Sequence, residues 1–171
     1  MAAVARENAV IGERRATDLD LQELESALLR AAVGDYALEA AVLLLVNTGH
    51  WLPRLQAAGL VSIALDGDAV DGGPWAAVQW GDLDGALRDG RISGTGGQRR
   101  LLRAAAGLAE GQPVDLADLT AGLDRGELAL LLAALAHAAG SHEHHDVVRD
   151  GDGVPHDGAL LGPVVPWPLR D

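Results

Sequence analysis

Two stretches of this chain are apolar on nearly every helical side: LEAAVLLLVN, ending before Thr48, and LALLLAALAHAA, ending before Gly140. A helix of that kind has no polar face to give to water, so it must be enclosed by other elements. Their alanine content allows close approach, and the two are expected to lie against one another at the centre of the fold. Their longest uninterrupted apolar runs, Ala40–Val46 and Leu128–Ala136, fall far short of the ~20 residues that span a bilayer. These are therefore core helices, and no membrane is expected as a partner.

The punctuation around them is regular. Asp20 with Glu23, Thr95 with Gln98, and Asp124 with Glu127 each have the three-residue spacing of a capping box. Asp35, Asp82 and Asp115 stand where further helices begin, and Gly34, Gly90 and Gly140 where helices end. Leu21, Leu24, Leu28 and Ala31 are expected to form the inner face of the first helix. A short helix at Trp51–Ala58 tolerates Pro53 in its first turn. Between residues 60 and 80 the period drops to two: Val61, Ile63 and Leu65 alternate with Ser62 and Ala64, and WAAVQW does the same. DGDAVDGGP separates the two runs, which reads as a wide-looped β-hairpin needing helices against it.

The expected fold is mainly α, a compact helical domain with one β-hairpin (α+β) and flexible N- and C-terminal segments. Residues 1–17 read as a flexible leader, 18–140 as the domain, and 141–171, with four of seven prolines, as an extended His/Pro/Gly-rich tail. Leu160, Leu161 and Trp167 are the residues that could dock it.

Composition removes several chemistries. The chain has no cysteine, which excludes thiol nucleophiles, Cys-ligated zinc, iron–sulfur clusters and disulfides. All thirteen basic residues are arginine, so a Schiff base and the lysine of a phosphate-binding P-loop are excluded as well. No cofactor is expected. The net charge of −12 opposes general nucleic-acid binding, whose affinity comes largely from basic groups on phosphates. The N-terminus carries charges where a signal peptide needs an apolar stretch, so the expected location is cytoplasmic.

The stretch ISGTGGQRRLLRAAAGLAEGQPVDLADLTAGLD, followed by a helix containing HAAG, resembles a group of small actinobacterial proteins of unknown function. The resemblance covers roughly residues 75–140 and lies in caps and turns. It implies a bacterial cytosolic origin and brings no activity with it.

Three constellations carry possible chemistry. Gly94, Gly96 and Gly97 open a helix with Arg99 and Arg100 in its first turn, which is where an anion or a phosphate-containing small molecule could sit. The same residues read more naturally as a capping loop, since neither GxGxxG nor a parallel βαβ unit is present. His137, His142, His144 and His145 could ligate a metal, but they lack an HExxH pair and stand in or beside the tail. Asp66, Asp68 and Asp71 fail as a calcium loop, with Val70 and Ala77 where acids belong, and Asp150 and Asp152 fail likewise at Leu161. Ser93 lies outside any GxSxG turn. His50 beside Trp51 reads as a core or first-turn histidine.

The order of three helices and a hairpin resembles a winged helix, but Trp51–Ala58 offers only Arg54 to a phosphate, and the hairpin loop would present aspartates. Protein contact, or mimicry of DNA by acidic side chains, fits that arrangement better. The sequence thus points to a non-catalytic protein-interaction or adaptor module that meets a protein partner or forms a homo-oligomer. The alternatives are an anion-binding protein, possibly enzymatic, built on Gly94–Arg100, and metal binding through the histidines.

Overall fold

Caps chosen by the sequence set the helices. In this computed structural model, which describes residues 15–65 and 73–169, α1 (Leu21–Ala32) starts at a reciprocal Asp20/Glu23 box. α2 (Tyr36–Asn47) starts at Asp35, whose carboxylate accepts from the Ala37 and Leu38 N–H groups, both at 3.0 Å. α3 (Trp51–Ala57) carries Pro53 in its first turn, where the missing N–H costs nothing. Past a hairpin come α4 (Leu83–Arg88), α5 (Gly96–Glu110) on the Thr95/Gln98 box, α6 (Leu116–Thr120) on Asp115, and α7 (Arg125–Ala138) on the Asp124/Glu127 box. Asp82 precedes α4 but its side chain makes no capping bond, because a 3₁₀ turn at Trp80–Asp82 already leads the backbone into the helix.

The hairpin pairs β1 (Val61–Leu65) with β2 (Pro74–Val78) antiparallel, Val61 opposite Val78 and Ile63 opposite Ala76. Ala76, Val78 and Trp80 are buried and Trp75, Ala77 and Gln79 exposed, the two faces the alternation predicts. The loop with Asp66, Asp68 and Asp71 lies outside the described residues, as do 1–14 of the expected leader. Residues 15–17 belong to the folded body: Ala16 is buried, and Gln56 Nε2 donates to the carbonyls of Ala16 and Leu19. Arg30 holds α1 to the hairpin through bonds from Nε and Nη2 to Pro74 O.

α2 is the central element, packed against α1, α3, α5 and α7, with Ala40, Ala41, Val42, Leu44, Leu45 and Val46 buried. The chain is mainly α with a hairpin on one side, and α7 does lie against α2. Three expectations need correction. The inner face of α1 is Leu24, Ala27, Leu28 and Ala32, while Leu21, in the first turn, is 45% exposed and Ala31 only half-buried. Small Ala27 and Ala32 on the inner side let α2 come close.

The second correction concerns residues 141–171, which are not simply an extended tail. His145–Arg149 (β3) and Pro155–Leu160 (β4) form a second antiparallel hairpin. It is exposed almost throughout, including Leu160, and Leu161 beyond it is exposed too, so of the three expected docking residues only Trp167 packs against the core. The third concerns α7. It is not enclosed: Leu131, Ala133 and Ala134 are buried, but Leu128, Leu132 and Leu135 are 41%, 43% and 46% exposed. Among the described residues no helix is long and apolar enough to cross a membrane.

Candidate functional site

The glycine loop before α5 is used up by the fold. Thr95 Oγ1 accepts from Gln98 N at 3.2 Å, and Gln98 Oε1 accepts from Thr95 N at 2.9 Å, which satisfies the cap reciprocally. A Cβ built on Gly94 would strike the Trp51 indole, which is fully buried and donates from Nε1 to Gln98 O at 2.9 Å. A Cβ on Gly97 would overlap the Glu127 carboxylate. A negative group from the start of α7 therefore already sits at the positive end of α5, where an anion would have to go. Arg100 points away as well, its Nε donating to Asp118 O at 2.6 Å and its Nη2 pairing with Asp118 Oδ1 at 3.2 Å. Gly94, Gly96, Gly97, Arg99 and Arg100 thus do not form one anion cradle. The glycines serve close approach, and only Arg99 is left with an exposed guanidinium unbonded to any described residue.

The four histidines divide into two pairs. His137 and His142 stack with ring centroids 4.3 Å apart and planes at 17°. Tyr36 meets both edge-on, at 6.3 and 4.9 Å, and Trp167 lies 6.2 Å from His137. Gly140, whose φ of +69° ends α7, passes directly beneath the Tyr36 ring. His137 Nε2 is 3.2 Å from Glu39 Oε2 without hydrogen-bond alignment, and His142 Nδ1 and Trp167 Nε1 are buried and unbonded. A metal ion must lie in the plane of each imidazole about 2.0–2.1 Å from its nitrogen. Nearly parallel stacked rings aim their lone pairs into separate planes and cannot share one ion. His144 and His145 stand exposed at the start of the second hairpin. Among the described residues no group of three or more His, Asp or Glu side chains is placed to hold a metal. The His137/His142 pair instead closes an aromatic joint that fastens the C-terminal segment to α2 and α7.

His50 precedes α3, edge-on to Trp51 at 4.7 Å, with Nε2 3.0 Å from Ser93 O. It ties the start of α3 to the glycine loop. α3 buries Trp51, Leu52 and Leu55, and Arg54 turns back to His50 O at 3.2 Å, so this helix is a core element with little to offer a groove of DNA.

Two features were not singled out by motif. One is the bare side of α7, where Leu128, Leu132 and Leu135 follow one another at four and three residues and so share a face. The signal for it is the apolar composition itself, which exceeds what α2 and α5 can cover. The other is a groove of about 500 Å³ between α4 and α5, lined by Asp84, Leu87, Arg88, Arg99 and Arg103. Its signal in the sequence is charge density: five of the thirteen arginines fall in residues 88–103, with Asp89 the only acid among them. Comparison with protein-family models, with curated proteins and with solved structures finds no match to this chain, so its function is argued from these surfaces.

Proposed function

We propose that this chain is a non-catalytic protein-interaction or adaptor module that presents the outer side of α7 to a protein partner, either a second copy or another chain. The observation that carries the reading is the row Leu128, Leu132 and Leu135, nearly half exposed on a helix whose opposite side is core. Covering three such leucines is worth roughly 2–4 kcal/mol, given about 1.5–3 kcal/mol for burying each one completely. That amount is a hot spot, and a stable complex of ~800 Å² per partner must extend beyond it. The chain's net charge of −12 favours a partner with a basic rim.

The test compares wild type with the double variant Leu128→Glu, Leu132→Glu by sedimentation over a range of concentrations and by co-purification from native lysate. The reading predicts an assembly larger than the monomer, or one stoichiometric partner, that the variant loses while its circular dichroism spectrum is unchanged. A wild-type monomer without a stoichiometric partner contradicts it.

A further inference from the structure

The α4–α5 groove concentrates positive charge on a strongly acidic chain. Arg99 and Arg103 stand one turn apart on α5, and Arg88 comes from the last turn of α4. Three guanidinia and one carboxylate, Asp84, give the groove a charge of +2 where the whole chain carries −12. The arginines are only loosely engaged. Arg103 Nε is 3.7 Å from Asp84 Oδ1 with both side chains more than half exposed, and Arg88 Nε reaches Asp84 O at 3.3 Å. Arg99 bonds to no described residue, and Leu87 supplies an apolar wall.

A structural arginine spends its fork on a fixed partner, as Arg100 does on Asp118 and Arg30 on Pro74 O. Of the three here, Arg88 and Arg103 each engage through Nε alone, both toward Asp84, and Arg99 not at all, so their terminal nitrogens stay open. Each guanidinium offers five donors in a planar fork, and one carboxylate satisfies one fork. Three forks around one groove call for an anion with more oxygens, and phosphoryl groups are its compact form. We propose that this groove binds a phosphate-bearing ligand of two or more negative charges, held by Arg88, Arg99 and Arg103, and that Asp84 is the internal carboxylate it displaces from Arg103. Long-range attraction cannot substitute for such a site, because the net charge of the molecule repels anions.

Isothermal titration calorimetry of the full chain at low salt tests this with two probes, inorganic pyrophosphate and a peptide carrying two adjacent phosphoserines. The expected result is saturable 1:1 binding of at least one probe, weakened about tenfold by Arg99→Ala and again by Arg103→Ala, as loss of a charge-assisted hydrogen bond implies. Asp84→Asn should tighten it severalfold, and Arg54→Ala should leave it unchanged. Binding of pyrophosphate identifies a free phosphate ligand, and binding of the peptide alone identifies a protein-borne one. Binding of neither probe, or equal losses from Arg54→Ala and Arg99→Ala, overturns the proposal. These outcomes are independent of α7, whose leucines contribute nothing to the groove.

Discussion

Gly97 shows how one residue without a side chain sets the meaning of a loop. Its missing Cβ leaves room for the Glu127 carboxylate, which also accepts from Asp124 N at 3.0 Å in the α7 capping box. In Gly97→Ala that flexible carboxylate must swing away and give up its bond, a loss of about 1 kcal/mol. In a Glu127→Ala background the same substitution has nothing to displace, and early in a helix alanine is favoured over glycine by up to about 1 kcal/mol. The alanine gain applies in both backgrounds, so a double-mutant cycle in urea should show Gly97→Ala near neutral in wild type and stabilising without Glu127, a coupling of about 1 kcal/mol. Asp150, in the turn of the second hairpin, titrates low. Its carboxyl is held below its ordinary value of 3.8 first by the hydrogen bond with His156 Nε2 at 2.9 Å, then by the backbone N–H of Val154, with smaller help from Asp152 and Gly153 against a slight opposing effect of lost solvent. A depressed pKa stabilises the turn of the second hairpin above the unfolded value and loses that contribution as pH falls through the folded one. The amide signals of Asp152 and Val154 should shift toward unstructured values only below pH 3.8, and Asp150→Ala should abolish the transition. An unchanged profile in the variant would contradict the assignment.

At the scale of elements, the sequence was legible wherever the signal is local. Three capping boxes, the Asp35 and Asp115 caps and the two faces of β2 all depend on neighbours within four residues, and all are present. Asp35→Ala removes two capping bonds and should cost about 1 kcal/mol, read as a lower midpoint in chemical denaturation. An unchanged midpoint would mean that packing alone starts α2. The β3–β4 hairpin was not legible because both its faces meet solvent, so its sequence has no reason to alternate. On α1 the expected and observed inner faces share Leu24 and Leu28 and part at Leu21, because periodicity cannot tell a first-turn leucine in water from one in the core. The candidate site was less legible than the fold. Spacing placed Gly94, Gly97 and Arg99 together, but only tertiary structure reveals that Trp51 and Glu127 fill the room the glycines leave.

Across the whole molecule, two all-round apolar helices were expected to enclose each other, and only α2 is enclosed. A small body has too few elements to surround two such helices, and α7, at its margin, keeps three leucines in solvent. Leu132 keeps somewhat more than half of its surface covered, so Leu132→Glu should cost about 1–2 kcal/mol and still fold, while losing association. The most direct measurement places a photo-crosslinking residue at position 132 of the full chain in native lysate, with position 116 as control, since Leu116 is 71% exposed and belongs to α6 rather than to the α7 row. The predicted result is one discrete higher-mass adduct from position 132 and none from position 116. No adduct from 132, or indistinguishable adducts from both, would contradict the reading of α7 as an interface.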